Sequence, residues 1–315
     1  MKHEIVVLER IDKSGLDNIS KFADLKFLLG IKRDQYLKKI QNTFGIIIKS
    51  KTKVDKEFLD NAKNLKVVLR AGTGLDNIDL KLLKEKKIKL ISTPQANAIS
   101  AAEFTIMQIL LLCRRVPELY PKIKKKDFRR HLFEGRELGN LNVGIIGMGN
   151  IGYEVAKRLK PFGCKLFAFD KNSKNKTKFK KLGGKYVGSI GNLISKIDVL
   201  TLHCNLNSLS HNMLGNKEFN KIKKNIILIN CARAELIKNE ALIKAIKKKK
   251  VSYASIDVIN PEPNYDTVKP KKNYNHIFLN EKKIFYTPHV AASTIDAQKR
   301  ISNHIAFELK KYLKR

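Results

Sequence analysis

Apolar residues in this chain come in short, nearly unbroken runs separated by segments of helical spacing. Glu4–Glu9, Gly45–Lys49, Leu65–Leu69 and Ile88–Ile91 are rich in Ile, Val and Leu. Runs of this kind predict strands buried on both faces of a parallel sheet. Val54–Ala62 between them has helical spacing. A more regular series starts near Leu141. It predicts strands at Leu141–Ile146, Lys165–Phe169, Val199–His203, Ile226–Asn230 and Val251–Val258, and helices at Ile151–Phe162 and Glu240–Lys248. Ala297–Leu313 predicts a last helix, with Ile301, Ile305, Ala306 and Leu313 on its apolar face. Strand and helix in alternation is the pattern of α/β units, and the two series predict two α/β domains.

Two segments stand apart. Ser100 to about Glu118 reads as one long helix, with Ser100 as cap, Glu103 completing a capping box, and an end near Pro117. Asn264–Lys283, rich in Pro, Asn, Tyr and Lys, reads as a long surface loop. The most apolar stretch, Ile99–Cys113, is interrupted by Ser100, Glu103 and Gln108. It falls short of the roughly 20 residues a membrane span needs.

Charge adds a competing idea. The 315 residues carry 64 Lys+Arg against 29 Asp+Glu, a formal net charge of +35. Such a field attracts anions and raises the possibility of nucleic-acid binding. Only 12 of the basic residues are arginine, however, and the lysines are spread along the whole chain. No zinc-finger spacing, RNP-like aromatic motif or basic region with heptads accompanies them, so nucleic acid is not the expected partner. The four cysteines (Cys113, Cys164, Cys204, Cys231) are far apart and lack metal-ligand spacing. With an N-terminus that reads as a strand rather than a leader, they predict a cytoplasmic protein with reduced thiols and no metal.

Gly147-Met148-Gly149-Asn150-Ile151-Gly152 fits G-x-G-x-x-G between a predicted strand and a predicted helix. That context gives the pattern meaning. Gly147 permits the tight turn, Gly149 lets backbone approach a pyrophosphate, and Gly152 lets the helix pack closely on the sheet. Asp170 stands at the end of the next strand. A carboxylate there accepts bonds from both ribose hydroxyls and repels a 2′-phosphate, which favours NAD over NADP. Nearby Lys171 and Lys174 slightly weaken that preference.

Three further segments have the form of strand ends leading into loops, where doubly wound sheets bind ligands. They carry Arg233, then Asp257 and Glu262, then His289. Interconverting an alcohol and a ketone requires hydride transfer with proton transfer at the oxygen. An imidazole titrates in the right range for that proton, a carboxylate beside it favours the charged ring, and a guanidinium grips a substrate carboxylate.

At these residues the chain resembles the D-isomer-specific 2-hydroxyacid dehydrogenase family over nearly its full length. The segments that carry the likeness are 67–80, 92–105, 133–152, 228–237, 256–263 and 287–298. The first two are most like the branch of the family acting on phosphoglycerate. The resemblance implies a Rossmann NAD-binding domain (98–287) inserted into a flavodoxin-like substrate-binding domain (1–97 and 288–315), both doubly wound parallel sheets. It implies catalytic roles for Arg233, Glu262 and His289. Cofactor contacts would fall on Gly147, Gly149, Asn150, Ile151, Gly152, Asp170, Cys231, Ala232, Asp257 and His289, with Asp257 serving the nicotinamide carboxamide. Substrate contacts would fall on Lys49, Arg70, Thr73, Gly74 and Arg233, with Gly72-Thr73-Gly74 as a carboxylate-binding loop and Lys49 and Arg70 facing a phosphate. The implied reaction is oxidation of D-3-phosphoglycerate to 3-phosphohydroxypyruvate, the first step of serine synthesis, in a homodimer built partly on the helix starting at Ser100. Other 2-hydroxy acids, or NAD sensing without turnover, are the rival expectations.

The chain departs from the family pattern at Ala234-Glu235, where Gly-Gly is common, and at Cys204-Asn205-Leu206, where proline is usual. Its length leaves no room for the C-terminal regulatory domain of longer members, so serine feedback through such a domain is not expected.

Overall fold

The computed structural model describes residues 2–171, 176–223, 225–263 and 274–314. They form two compact units, Met1–Ala98 with Ser293–Arg315, and Ile99–Ala292. Pro288–Ala292, which the sequence reading grouped with the C-terminal segment, fall in the second unit.

In chain order the first unit holds β1 (His3–Val7), α1 (Lys13–Ser20), β2 (Ala23–Phe27), α2 (Arg33–Leu37), β3 (Gly45–Ile48), α3 (Lys56–Asn61), β4 (Val67–Arg70), α4 (Leu80–Glu85) and β5 (Lys89–Ser92). The second holds α5 (Ala98–Cys113), α6 (Val116–Lys124), β6 (Asn142–Ile146), α7 (Asn150–Leu159), β7 (Lys165–Phe169), α8 (Lys176–Lys181) and β8 (Lys185–Tyr186). It continues through α9 (Ile190–Ile194), β9 (Val199–Leu202), α10 (Asn216–Asn220), β10 (Ile226–Asn230), α11 (Asn239–Lys247), β11 (Val251–Ile256) and β12 (Ile284–Tyr286). The last helix, α12 (Ile295–Leu313), belongs to the first unit.

The first sheet runs β2-β1-β3-β4-β5 with every neighbouring pair parallel. This is the flavodoxin-like doubly wound order. Helices α1, α3, α4 and α12 start where a side chain of Asp12, Asp55, Asp79 or Thr294 accepts an orphan backbone N–H, each such cap contributing about 1 kcal/mol. On one face of the sheet, Ile301, Ile305 and Leu309 of α12 pack with Ile5, Val7, Ile47 and Leu69. Helix α1 approaches α12 closely enough that a Cβ on Gly15 would lie 2.0 Å from Ser302 Oγ.

The second sheet runs β12-β11-β10-β9-β6-β7-β8. Counted from β6, this is the Rossmann order with a seventh strand added at one edge. The strand direction of travel reverses between β6 and β9, and apolar cores cover both faces. No helix among the described residues is long and apolar enough to cross a membrane.

The segment from Ser100 to Glu118 corrects its sequence reading. Ser100 lies inside the first turn of α5, buried, rather than at the cap. The helix stops at Cys113, Arg115 takes a left-handed conformation at φ 56°, and Pro117 lies in the first turn of α6 instead of ending α5. A proline in a first turn forfeits no intrahelical bond, so it starts a helix as readily as it stops one. Of the expected loop Asn264–Lys283, residues 264–273 lie outside the described residues. The remainder contains a short 3-10 helix, Ile277–Asn280.

Candidate active site

At the carboxyl end of β6 the chain turns at Gly147, with φ 92°. A Cβ there would sit 2.5 Å from the backbone nitrogen of Cys204, just after β9, so the turn presses into the point where the sheet reverses. A Cβ on Gly152 would lie 2.0 Å from the Gly147 carbonyl oxygen, so the third glycine lets α7 begin directly on the turn. Gly149 differs from both, because a Cβ on it would meet no protein atom within 4 Å. Packing within the chain does not demand a glycine there, whereas a ligand approaching the backbone would. Gly149 is also the N-cap of α7 and offers no side-chain cap, which leaves a helix N-terminus suited to an anion. Asp170, at the end of β7, accepts the Met148 N–H at 2.5 Å, so the carboxylate and the turn are held together. This donor set fits a dinucleotide with free ribose hydroxyls. Lys171 is exposed beside it, and Lys174 lies outside the described residues.

At the carboxyl ends of β10, β11 and β12 the chemistry-bearing side chains converge. Asn230, fully buried at the end of β10, accepts the Ala232 N–H at 3.1 Å and donates to the Arg233 carbonyl at 2.8 Å. Its side chain thus shapes the loop Cys231-Ala232-Arg233. The Arg233 guanidinium in turn donates to the Ala232 carbonyl at 2.7 Å. Ala234-Glu235, the departure from the family pattern, form a 3-10 turn through Leu236. Neither has positive φ among the described residues, so no glycine is required there. Burial pushes the Cys231 thiol well above its ordinary range, so it is a neutral wall and not a nucleophile.

His289 is the strained member of the group, with φ 54°. A non-glycine residue holds that conformation only where its surroundings fix it. The fixing group is Asp257, whose side chain is fully buried. One carboxylate oxygen accepts the Thr287 hydroxyl at 2.6 Å and the Val290 N–H at 2.9 Å, and the other accepts the Ala291 N–H at 2.8 Å. The His289 N–H itself donates to the carbonyls of Asp257 and Thr287, both at 2.9 Å. The imidazole Nδ1 meets the Glu262 carboxylate at 2.7 Å. With Nδ1–H donating to Glu262, Nε2 is the ring atom left able to exchange a proton. The hydrogen bond to Glu262 raises the His289 pKa against the opposing effect of burial, Asp257 adds to the rise, and Arg233 works against it.

In the first unit, the carboxyl edge of the sheet is basic. Arg70 ends β4, is 7% exposed, and donates to the Ala71 carbonyl at 2.8 Å. Gly72 has φ 149°, and a Cβ on it would strike the Arg70 guanidinium at 2.3 Å, so the glycine is needed for the arginine to fold over it. Thr73 faces Asn97 Oδ1 at 2.7 Å and the Thr93 carbonyl at 3.2 Å, and its one hydroxyl proton can serve either. Gly74 follows, half-buried. Lys49, after β3, donates to Gln298 Oε1 at 3.2 Å. Burial lowers its pKa, Glu9 opposes that, and Arg70 adds to the fall, which puts the two cations within electrostatic reach of each other.

Sequence reasoning missed Asn230 and Gln298 as well as the bracing by Asp257. It also missed Glu9, whose carboxylate accepts the backbone N–H groups of Lys49, Lys51 and Thr52. The signal available was position alone, since each stands at or just after a strand end or, for Gln298, early in α12. His203 faces the Thr201 hydroxyl at 2.9 Å, and burial pushes its pKa down to about 3, so it is a neutral structural group.

The pattern described as D-isomer specific 2-hydroxyacid dehydrogenase, NAD binding domain, matches residues 106–291. A D-3-phosphoglycerate dehydrogenase of Methanocaldococcus jannaschii is 32% identical over 311 residues, 99% of this chain but 57% of that relative's length. A hydroxypyruvate reductase of Thermotoga maritima is 34% identical over 313 residues and covers 99% of both chains. Among solved structures, a D-lactate dehydrogenase from Aquifex aeolicus, complexed with NAD and lactic acid, superposes with a TM-score of 0.86. It is 26% identical and covers 99% of this chain and 96% of that one. With its reversing seven-stranded sheet, its glycine turn and this match over most of the second unit, the chain belongs to the D-isomer-specific 2-hydroxyacid dehydrogenase family, and residues 106–291 are its NAD-binding domain.

Proposed function

We propose that this protein is an NAD-dependent dehydrogenase that oxidises D-3-phosphoglycerate to 3-phosphohydroxypyruvate, the first step of serine synthesis. The observation that carries the catalytic reading is the hydrogen bond between His289 Nδ1 and Glu262, with Arg233 in electrostatic range of the same ring. His289 Nε2 takes the C2 hydroxyl proton as the hydride leaves C2, and Glu262 stabilises the imidazolium that results. Arg233 holds the substrate carboxylate and polarises the C2 oxygen. The family resemblance assigns the backbone of Thr73-Gly74 to carboxylate binding, and Lys49 and Arg70 to a phosphate. The glycine turn and Asp170 would hold NAD, with Cys231, Ala232 and Asp257 on its nicotinamide side, and the cofactor would supply the hydride acceptor. Among the described residues, one carboxylate oxygen of Asp257 accepts one hydrogen bond, from the Ala291 N–H, which leaves it capacity for a carboxamide donor.

The exposed apolar side chains Met107, Tyr120, Ile123 and Phe128, at 43%, 63%, 37% and 70% exposure, cluster on and after α5 and α6 and support the homodimer reading. The four free cysteines support a reducing, cytoplasmic setting.

Oxidation of NADH with 3-phosphohydroxypyruvate against unphosphorylated hydroxypyruvate tests the substrate. A preference of about tenfold or more in kcat/KM, worth about 1.4 kcal/mol, is the expected result. Equal rates would move the reading to a general hydroxyacid reductase, which the match to the Thermotoga maritima hydroxypyruvate reductase over 99% of both chains favours as the second reading. NADH bound with neither acid turned over would leave a sensor.

A further inference from the structure

The loop that carries Glu262 is gripped by two side chains for which the chemistry above has no use. Tyr274 donates its hydroxyl to the Pro261 carbonyl at 2.7 Å. The Asn260 backbone lies within electrostatic reach of the His276 ring and favours its charged form. These are the two residues immediately before Glu262, so the peptide that begins the glutamate is tied on its carbonyl side.

The grip is rooted in the core. His276 is 7% exposed and its ring lies parallel to Tyr274, the planes 2° apart. Its Nδ1 accepts the Phe278 N–H at 3.3 Å, and its Nε2 lies 3.3 Å from the Asn239 amide on α11. Phe278 meets the imidazole edge-on at 4.7 Å and is itself part of the apolar core under β10 and β11. Contacts therefore run from the core through Phe278 to His276, whose ring lies parallel to that of Tyr274, and from the Tyr274 hydroxyl to the Pro261 carbonyl. Burial lowers the His276 pKa, favouring the neutral ring.

We propose that Tyr274 and His276 are positioning residues, Tyr274 holding the Pro261 carbonyl and His276 backing Tyr274, so that the Glu262 carboxylate stays on Nδ1 of His289. The inference rests on reading His289 and Glu262 as the acid–base pair. Both side chains of that pair are about two-fifths exposed, at 38% and 43%. Water therefore competes for the glutamate, and only a restrained backbone keeps the contact populated. The charged groups facing His289 are Glu262 and Asp257, which favour the imidazolium, and Arg233, which opposes it. Glu262 is also faced by Tyr274, whose own neighbour is Tyr286. Releasing the Glu262 loop removes the largest of the favourable contacts, so the His289 pKa falls toward its ordinary value.

The test is an NMR titration of the His289 imidazole, assigned by its loss in His289→Asn, which requires no substrate. Wild type, Tyr274→Phe, His276→Gln and Glu262→Gln are titrated as full chains, with Tm and NADH affinity measured for each. Tyr274→Phe keeps the ring and removes only the hydroxyl. Its His289 titration is expected to move down by about half a pH unit, part of the way to the Glu262→Gln position, with NADH affinity unchanged. His276→Gln moves the same way. The alkaline limb of kcat in the reduction direction, which needs the protonated ring, shifts with them. If Glu262→Gln moves the titration while both clamp variants superimpose on wild type, the proposal is overturned and the acid–base pair stands. A lowered Tm with His289 unmoved marks a purely structural pair and overturns it as well. If Glu262→Gln itself leaves the titration in place, the acid–base reading fails first and this inference with it.

Discussion

The carboxyl edges of the two sheets face opposite electrostatic tasks. In the first unit the edge is cationic, with Lys49 after β3, Arg70 ending β4, and a Glu9 carboxylate committed to three backbone amides of the Lys49–Thr52 loop. In the second unit acids dominate the loop ends. Asp170 holds the Met148 amide, Asp257 holds Thr287, Val290 and Ala291, and Glu262 holds His289. In a chain of formal charge +35, lysine is abundant everywhere and says little about a site. A carboxylate that is buried or hydrogen-bonded at a strand end is the more informative residue, because it must be matched to specific donors to be tolerated there. On the proposed reading, the second edge is the place to break chemistry, and the first the place to alter recognition.

The largest expected effect is at His289. His289→Asn keeps a residue tolerant of positive φ and removes the base. We expect kcat to fall by about 10³-fold, within the range of general acid–base catalysis, with NADH still binding. NADH fluorescence titration beside steady-state rates checks both halves, and a fall below tenfold would remove His289 from its role. The pH profile of the wild type sharpens the same point. The raised His289 pKa moves the rise of the oxidation rate, and the fall of the reduction rate, to higher pH than an ordinary histidine would give.

Asp257→Asn comes next. It sets an amide NH₂ or a single carbonyl against three donors, so at least one buried N–H or hydroxyl loses its partner. Such a loss costs about 1–3 kcal/mol, read as a lower denaturant midpoint with unchanged m. Because the same bonds hold the strained His289 backbone, kcat should fall with stability. A variant as stable and as active as wild type would show that the brace is dispensable.

His203 and His289 stand on the same edge and respond oppositely to acid. His203 is buried and neutral, with a pKa pushed down to about 3. The unfolded chain takes up that proton near pH 6.5, whereas the folded one refuses it, so stability falls as pH drops through that window. By pH 5 the loss is about 2 kcal/mol, at 1.36 kcal/mol per unit. His203→Asn should flatten the acid limb of Tm against pH, and an unchanged limb would assign the acid sensitivity elsewhere.

How much of this could be read from the chain follows from the range over which each feature is encoded. The parallel strands were legible because each is an uninterrupted apolar run, and the glycine turn because strand, turn and helix are contiguous. Strand β2, with the sequence ADLKF and three exposed positions, gave no such run, since an edge strand paired only with β1 has little to bury. Pro117 misled because the same residue begins or ends a helix according to where the preceding turn stops. The braces by Asn230 and Asp257 were hidden for different reasons. Asn230 acts on its own loop through an ordinary polar side chain, whereas Asp257 reaches residues more than thirty positions away. No local pattern specifies a hydrogen bond of that span.

The smallest effect expected is also the one that bears most on substrate identity. Lys49→Met keeps most of the apolar stem and removes the charge, leaving Gln298 to find another partner. If the first edge reads a phosphate, the variant should lose about tenfold in kcat/KM for 3-phosphohydroxypyruvate through KM, about 1.4 kcal/mol, with kcat little changed. Hydroxypyruvate, which has no phosphate to hold, should be reduced as before. Arg129→Ala supplies the comparison, since that arginine is exposed and paired with Asp127 at 2.9 Å. A lysine chosen by abundance alone would behave like Arg129 and change neither substrate. The ratio of the two substrates in Lys49→Met therefore decides whether the basic edge is a specific phosphate reader or only part of the general positive field. That ratio is insensitive to enzyme concentration and to modest losses of stability, which makes a small effect measurable.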